Sequence, residues 1–411
     1  MTPWKKNNIQ HLSSMEQIKS LNNLQTPCYI LDVEELEKSV RGFQTALDKN
    51  FNNSIIGYSV KTNSTPYCMK LAGEFGAFAE VVSHDEYELA RLCGFNQNRI
   101  IYNGPMKSKE TFIDAIINGA IVNIEAKREI DWLYELPQNK QYNIGLRLNI
   151  NISHISPEDA DGNDDDSRFG LSDDSSEFRQ AIETINNIPH VRLAGLHIHR
   201  TAHSRSIRFY QKSIDYACKV IKKYNLKLDY LDVGGGYFGI FPNKPTYQQY
   251  SDAFYEVFKS HELCNLCIIV EPGNALVASS FDFLTEVIDV KNIEKDKWFI
   301  TTDGSRNDVD PFFKKTSYLD EEIYLNDSAI VSKQIVSGCT CLEYDRLFTL
   351  ENKPLLSVGD RIKYKNVGAY TMCLTPMFIR YIPNIYAKKV NEYFLIREKW
   401  TAKDYIHKSK I

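Results

Sequence analysis

Short apolar segments alternate with longer amphipathic segments along the chain from about residue 28 onward. The short segments are rich in β-branched and aromatic residues, which is typical of strands, and most are followed by a stretch with helical spacing. This alternation predicts a parallel sheet covered by helices, and the number of units favours a closed (β/α)8 TIM-like barrel over an open, doubly wound sheet. The predicted strands are residues 28–31, 55–60, 78–82, 100–102, 121–124, 144–150, 193–199, 230–233 and 267–270.

The pattern changes beyond about residue 283. Shorter β-rich segments follow one another there, separated by Gly, Pro, Asn and Asp, and long amphipathic stretches become scarce. A chain of 411 residues exceeds the usual size of one domain, so a second buried core is expected. We therefore predict that a second, mainly β domain begins near this residue.

The composition is that of an ordinary globular protein, with 43% hydrophobic residues, 25% charged residues and a formal net charge of −4. Such a charge gives no broad positive field for nucleic acid or for an anionic membrane surface. No apolar run is long enough to cross a bilayer, and no signal peptide is readable. We therefore expect a small-molecule partner, with no nucleic acid and no membrane.

The nine cysteines are scattered and odd in number, which favours a reducing compartment and hence the cytoplasm. Two close pairs, Cys264 with Cys267 and Cys339 with Cys341, resemble half of a zinc site. A structural zinc site needs four ligands, and the sequence offers no matching second half. We interpret these residues as core cysteines and expect no metal.

A lysine ends the predicted strand at residues 55–60 and is followed by small polar residues, in the segment GYSVKTNS. The carboxyl ends of the strands of a βα barrel face the active site, where a lysine can be desolvated enough to form an imine with an aldehyde cofactor. Lys61 is therefore a candidate Schiff-base residue. The alternative is an exposed lysine at a strand end, which one motif alone does not exclude.

Three glycines follow the predicted strand at residues 230–233, in the segment DVGGGYFG. Successive glycines let backbone N–H groups approach a phosphate closely, so Gly234, Gly235 and Gly236 are candidate phosphate ligands. The spacing does not match the dinucleotide-binding fingerprint. A plain tight turn is the alternative.

A carboxylate ends the predicted strand at residues 267–270, in the segment VEPGN. Glu271 could keep a pyridinium nitrogen protonated, and a protonated ring is what makes pyridoxal phosphate an electron sink. The alternative is a structural acid at a strand end. His197 and His199 lie near the end of another predicted strand. We place them on opposite faces of that strand and expect at most one of them to line the barrel mouth.

Two residues of the β-rich region carry further chemistry. Cys341, in the segment GCTCLEYDR, has a thiol that could donate a proton, and Tyr370, in GAYT, has a phenol that could contact a phosphate. Taken without the other motifs, both are ordinary strand residues.

In this order, the segments resemble those of the alanine-racemase-fold decarboxylases that depend on pyridoxal phosphate, the family of ornithine, diaminopimelate and arginine decarboxylases. The match spans roughly residues 26–380. The resemblance implies that Lys61 holds the cofactor covalently, that His199 stacks on its ring and that Cys341 donates the proton that follows carbon dioxide loss. It also implies cofactor-binding roles for Arg147, Gly234, Gly235, Gly236, Glu271, Gly273, Asn274 and Tyr370.

The resemblance also implies an architecture. Residues 28–283 would form the cofactor-binding barrel, and residues 284–411 with residues 1–27 would form a β-barrel domain. Cys341 and Tyr370 would enter the site from a second subunit, so a head-to-tail homodimer with shared active sites is expected.

Several positions depart from the family pattern. Leu342 stands where the family places an acid that binds the distal amino group of the substrate, Asn274 replaces an arginine, and Asp310 replaces another. Glu343 could substitute for the missing acid, and Arg200 or His203 could assist in phosphate binding. These changes favour decarboxylation of a modified or conjugated amino acid. The alternatives are diaminopimelate decarboxylase, a less favoured racemase, and a non-catalytic relative that binds pyridoxal phosphate.

Overall fold

The computed structural model describes residues 17–160 and 166–410. The strands of these ranges are β1 Gln17–Ile18, β2 Cys28–Asp32, β3 Ser54–Ser59, β4 Phe78–Ser83, β5 Ile100–Met106, β6 Ile121–Ile124, β7 Tyr142–Leu148, β8 Val191–Ile198, β9 Tyr230–Asp232, β10 Cys267–Val270, β11 Phe281–Glu294, β12 Lys297–Thr302, β13 Leu319–Ile323, β14 Ile330–Ser337, β15 Arg346–Pro354, β16 Arg361–Lys365, β17 Asn384–Lys389 and β18 Glu392–Arg397. The helices are α1 Val33–Asp48, α2 Pro66–Glu74, α3 His84–Leu92, α4 Lys109–Ile117, α5 Lys127–Trp132, α6 Ile152–Ile155, α7 Ser176–Asn186, α8 Ile207–Lys223, α9 Tyr247–Ser260, α10 Asn274–Val277, α11 Arg306–Val309 and α12 Ala402–Ile406.

Eight parallel strands, β3 to β10, close into a barrel because β10 pairs with β3. Helices connect most successive strands, as the sequence pattern predicts, and the predicted TIM-like barrel is confirmed. These strands belong to a compact unit that spans Glu37–Leu276.

The strand predicted at residues 28–31 exists but is not part of this barrel. It is β2, which pairs with β11 antiparallel and with β17 parallel in a separate sheet. The prediction was wrong on this point because a buried apolar strand has the same pattern in either sheet, and the pattern does not identify its neighbours. The barrel unit accordingly runs from residue 37 to 276 and not from residue 28 to 283.

The second unit comprises Val277–Ile411 and Met1–Leu36, of which residues 17–36 and 277–410 are described. Its ten strands form a mixed sheet in the order β1-β18-β17-β2-β11-β12-β14-β15, and β16 joins β13 to β11. The predicted β-rich domain is confirmed, although its described strands pair along a branched path and not as a closed ring. Residues 1–16, predicted to belong to this domain, lie outside the described residues.

Capping residues fix where the helices of the barrel unit begin. The hydroxyl oxygens of Ser83, Ser108 and Ser206 accept hydrogen bonds from backbone N–H groups in the first turns of α3, α4 and α8. Thr246 and Gln249 form a reciprocal capping box at the start of α9. In the part of the chain that the structure describes, no helix is both long and apolar enough to span a bilayer.

One tyrosine fills much of the barrel interior. A side chain at Gly195 would overlap the ring of Tyr230, and one at Gly145 would overlap its hydroxyl group. Ile101 and Ile269 pack in the same buried cluster. The interior is therefore closed below the strand ends, and functional side chains can project only at its mouth.

Candidate active site

Lys61 lies in a single 3-10 turn, Val60–Thr62, immediately after β3. Its ammonium nitrogen Nζ donates a hydrogen bond of 2.7 Å to the Glu80 carboxylate on the neighbouring strand β4. The Lys61 side chain is 30% exposed whereas that of Glu80 is 1% exposed, so the amine stays accessible above a buried anion. This position agrees with the expectation of an amine at the end of a barrel strand.

Glu80 was not identified from the sequence. Besides Lys61, it accepts hydrogen bonds from the Ser59 hydroxyl at 2.6 Å and from the Asn103 amide at 3.2 Å. The signal that could have found it is an acid inside the apolar strand segment FAEVVS, because a charge in a strand buried on both faces needs partners.

Glu271 follows β10 and is 1% exposed. Its carboxylate accepts a hydrogen bond from the Asn103 side-chain amide, and Oε2 lies 3.1 Å from His199 Nδ1 and 3.5 Å from His197 Nε2. Burial alone would raise the pKa of Glu271, but the two imidazoles outweigh it and hold that pKa well below its usual range. A stable buried anion therefore lies at the barrel mouth.

His197, on β8, and His199, just after it, both face the Glu271 carboxylate. The expectation that at most one of them would line the barrel mouth was wrong. Residues two positions apart in a strand share a face, which places His197 and His199 on the same side. They differ in burial, since the His197 side chain is 1% exposed and that of His199 is 23% exposed. Burial lowers the pKa of His197, against the raising effect of the Glu271 carboxylate.

A chain of amides continues from Glu271 into the barrel. The Asn123 amide donates to the Asn103 carbonyl oxygen at 2.8 Å, and the Tyr230 hydroxyl donates to the Asn123 carbonyl oxygen at 2.8 Å. None of these three residues was identified from the sequence, because an asparagine or a tyrosine within a strand carries no specific functional motif. Together they satisfy the polar atoms of a fully buried layer.

Arg147 lies on β7 and is held by a second buried acid. Its guanidinium donates to Glu125 at 2.9 Å and to the backbone carbonyl oxygen of His199 at 3.2 Å. The guanidinium also lies 4.8 Å from the Phe169 ring centroid. Arg147 thereby fixes the backbone that carries the His199 ring.

The glycine turn at residues 234–236 has the backbone that its sequence predicts. Gly234 and Gly236 have positive φ angles of 68° and 97°, which favour glycine over residues with a side chain. A side chain at Gly235 would overlap the backbone oxygen of Glu271, and the Gly235 nitrogen lies 3.3 Å from His199 Nδ1. The turn is thus in direct contact with the candidate site.

The turn after β10 approaches the lysine turn equally closely. A side chain at Gly273 would overlap the Thr62 hydroxyl, next to Lys61. Asn274 begins the short helix α10. The structure therefore brings Lys61, the glycine turn, Glu271 and His199 to one end of one barrel.

Cys341 and Tyr370 belong to the other unit. The Cys341 thiol is exposed, and Cys264, Cys267 and Cys339 are only partly buried, so the interpretation of these four residues as core cysteines was wrong. The loop of Cys341 is held by the buried carboxylate of Asp345, which accepts from the Thr340 hydroxyl at 2.6 Å and from its N–H group at 3.1 Å. Tyr370 is 40% exposed and has a positive φ of 56°. Asp310, which replaces a family arginine, accepts a hydrogen bond of 2.9 Å from Arg306.

The barrel residues fit pyridoxal phosphate. They supply an accessible amine, a buried carboxylate and an imidazole. They also supply a glycine turn that has no room for side chains, so its backbone groups can approach a ligand. The nitrogen and oxygen atoms of His197, His199 and Glu271 also lie within 4.8 Å of one another, which is compatible with a metal ion. The lysine and the glycine turn favour the organic cofactor.

Comparison with known proteins agrees with this chemistry. A family model described as pyridoxal-dependent decarboxylase, pyridoxal binding domain, matches residues 33–278. Diaminopimelate decarboxylase of Aquifex aeolicus is 28% identical over 295 residues, which cover 69% of this chain and 67% of that protein. The L-glutamyl-[BtrI acyl-carrier protein] decarboxylase of Niallia circulans is 25% identical over 421 residues, which cover 96% of each.

A solved structure supports the fold. The diaminopimelate decarboxylase of Methanocaldococcus jannaschii superposes with a TM-score of 0.81 and covers 94% of this chain and 93% of that chain. Its sequence identity is 23%, so this likeness concerns the fold alone.

Proposed function

Because this chain belongs to the family of pyridoxal-dependent decarboxylases, whose cofactor is pyridoxal phosphate, we propose that its substrate is an amino acid with a modified or conjugated distal end. The reaction class, decarboxylation of an amino acid, follows from the family. The observation that carries the substrate proposal is Leu342, an apolar residue next to Cys341, where the family places an acid for the distal ammonium group.

Different barrel residues bind different groups of the cofactor. Lys61 provides the amine that binds the cofactor aldehyde, and Glu80 holds this amine at the strand end. Glu271 presents a buried anion to the ring nitrogen, where an anion favours the protonated ring. When bound, pyridoxal phosphate takes up the electron pair that departing carbon dioxide leaves on Cα.

Neighbouring residues orient the ring and the phosphate. His199 stacks on the ring face, held there by the contact of its backbone with Arg147. The N–H groups of the 234–236 turn, with Gly273, Asn274 and Tyr370, bind the phosphate. Arg200 lies next to His199 in the chain and adds positive charge in place of the arginine that Asn274 replaces.

The final proton comes from Cys341, which donates it to Cα after carbon dioxide leaves. We place Cys341 and Tyr370 in the site of a second subunit, which makes the active form a homodimer with shared sites. The exposure of the Cys341 thiol in one chain supports this role, because a proton donor must be reachable by substrate.

The distal end of the substrate would contact Leu342. An ammonium group placed against leucine loses a charge-assisted hydrogen bond of roughly 1.5 to 3 kcal/mol, which corresponds to about 10- to 150-fold in affinity. A neutral conjugate loses nothing by this replacement. The relative from Niallia circulans, named for an L-glutamyl group on an acyl-carrier protein, supports a conjugated substrate.

Diaminopimelate decarboxylation is the second candidate. The segment DGS at residues 303–305 resembles the start of the corresponding motif in diaminopimelate decarboxylases, and the Aquifex aeolicus relative has that name. This activity would require Glu343, one residue further along, to take over the contact of the missing acid. Glu343 is exposed, and its backbone carbonyl oxygen accepts a hydrogen bond of 3.1 Å from Arg346.

Carbon dioxide release from a substrate panel separates the two candidates. The panel contains diaminopimelate, ornithine, lysine and the pantetheine thioester of glutamate. We expect kcat/KM for the thioester to exceed that for each diamino acid by about tenfold or more, and we expect Leu342→Glu to reverse this preference. Leu342→Met, which conserves volume, should leave the preference unchanged. A wild-type enzyme most active on diaminopimelate would overturn the substrate proposal.

A further inference from the structure

We propose that Asp232 carries a proton beside Glu271, so that the two carboxyl groups share one negative charge and Asp232 acts as a positioning residue for Glu271. This inference rests on the proposed function, in which Glu271 faces the ring nitrogen of the cofactor. It assigns a role to the aspartate that precedes the glycine turn.

The sheet places the two carboxyl groups together. Asp232 is level with Ile269 on the adjacent parallel strand, and Glu271 lies two positions beyond Ile269, on the same face. Asp232 is 0% exposed and Glu271 is 1% exposed. Bulk water therefore reaches neither carboxyl group.

The two carboxyl groups have unequal partners. Glu271 accepts a hydrogen bond from the Asn103 amide, and imidazole nitrogens of His199 and His197 lie 3.1 and 3.5 Å from its Oε2. Asp232 accepts one hydrogen bond, on Oδ1 from the Gly234 N–H group at 3.0 Å. Its Oδ2 finds no donor among the described residues. A proton on Asp232 turns Oδ2 into a donor toward Glu271.

The surrounding charges favour the same arrangement. His197 is level with Asp232 on β8 and burial lowers its pKa, while the Glu80 carboxylate is a further negative charge that raises the pKa of Asp232. Two adjacent buried carboxylates repel each other too strongly for both to ionise. Burial and the Glu271 charge raise the pKa of Asp232 well above its usual range, whereas that of Glu271 is held low. The proton therefore resides on Asp232.

This arrangement has a consequence for the cofactor. The Asp232 hydroxyl holds the Glu271 carboxylate in one orientation and leaves Glu271 as the single anion of the pair. A permanently neutral amide at position 232 can donate the same hydrogen bond. An apolar residue there removes the donor and leaves Glu271 with fewer partners.

Infrared spectroscopy of the holoenzyme at about pH 8 tests the position of the proton, because exposed carboxyl groups are ionised at that pH. The pKa of partly buried Glu86 is raised only to about 7 and that of Asp308 to about 6, so both are largely ionised there. We expect a carbonyl band of a protonated carboxyl group in the wild type, absent from Asp232→Asn. Asp159→Asn is the matched control, because Asp159 is buried but its pKa is lowered by serine hydrogen bonds against the effect of burial.

An unchanged band in folded Asp232→Asn would overturn the inference, and so would loss of the band in Glu271→Gln with its retention in Asp232→Asn. If Asp232→Asn does not fold, aspartate labelled with ¹³C at the side-chain carboxyl replaces the variant. The wild-type band should then shift to lower frequency, and a band that stays in place contradicts the inference.

The cofactor spectrum provides a second readout. Asp232→Asn should keep the pH dependence of the cofactor absorbance, whereas Asp232→Leu should shift it by about one pH unit, since an apolar neighbour changes the charge balance at Glu271. Equal shifts in both variants would contradict a donor role for Asp232. If Glu271 does not face the ring nitrogen as proposed, the cofactor absorbance does not respond to Glu271→Gln, yet the infrared band of the cofactor-free protein still reports the proton on Asp232.

Discussion

Two lysines in equivalent sequence positions differ in how far their side chains are buried. Lys61 and Lys107 both follow strands of the barrel, β3 and β5. The Lys107 side chain is 0% exposed, and its ammonium group donates to the Gly104 backbone oxygen at 2.7 Å and to Glu129 at 3.2 Å. Burial lowers the pKa of Lys107, but its amine is enclosed, whereas that of Lys61 is accessible. Of these two lysines, Lys61 is therefore the one whose amine an aldehyde can reach.

Asp282 on β11 gives a pH-dependent prediction at this scale. Burial raises its pKa from 3.8 to about 6 despite Lys363 and Lys365. The folded state thus binds this proton more tightly than the unfolded state, so the stabilisation is present below about pH 4 and is lost as pH rises through about 6. Asp282→Asn should match the wild type near pH 4 and exceed its unfolding free energy near pH 8, by on the order of 1 to 3 kcal/mol.

Unfolding midpoints of both proteins at the two pH values measure this difference. Asp289→Asn is the control, because the Asp289 side chain on the same strand is 44% exposed and its pKa is lowered by Lys291. It should give no stabilisation near pH 8. If Asp282→Asn has the same effect at both pH values, its carboxyl group does not titrate as the structure indicates.

Some residues of the site can be predicted from local sequence motifs, whereas others become part of the site only through the fold. Lys61, Glu271 and the glycine turn stand at the ends of apolar strands, so their position is readable from the chain. Glu80 and Asn103 lie within strands and not at their ends, and they become part of the site only because the strands close into a barrel. Their contacts join strands distant in sequence, which no local pattern encodes.

At the scale of elements, the turn between β9 and α9 leaves no room for a side chain at Gly235. Gly235→Ala should reduce cofactor affinity by about tenfold or more, because the added methyl group overlaps the Glu271 backbone and displaces the turn. Fluorescence or absorbance titration of the cofactor-free protein with pyridoxal phosphate measures this loss.

Gly42→Ala is a matched control for that change. Gly42 lies within α1, where an added methyl group would meet the Tyr247 ring at 3.6 Å, an ordinary contact. Alanine should stabilise the helix by about 0.5 to 1 kcal/mol and leave cofactor affinity unchanged. Equal affinities in both variants would show that the turn does not contact the cofactor.

The elements themselves could largely be predicted, but not all of their pairings. The eight strands of the barrel follow from the alternation of apolar and amphipathic segments. β2 could not be assigned to its sheet, because the sequence has nine apolar segments and the barrel has only eight strands. Its partners, β11 and β17, lie about 250 and 355 residues further along the chain. Long-range pairing of this kind leaves no trace in local periodicity.

At the scale of the whole molecule, the proposed homodimer makes a sharp prediction. Lys61→Ala and Cys341→Ala dimers should each be nearly inactive, but subunit exchange would generate heterodimers in which one site has both intact residues. An equimolar mixture should recover about a quarter of wild-type activity after exchange. Activity that stays absent although exchange is demonstrated by mass spectrometry would rule out shared sites.

The covalent link between the cofactor and the barrel is the central claim, and borohydride reduction of the holoenzyme tests it most directly. Reduction makes the bond between the lysine nitrogen and the cofactor carbon permanent, and mass spectrometry of the peptides then identifies the lysine. We predict a phosphopyridoxyl group on Lys61, and its loss in Lys61→Ala. Modification of Lys107 or of another lysine, or no modification of a protein saturated with pyridoxal phosphate, would contradict it.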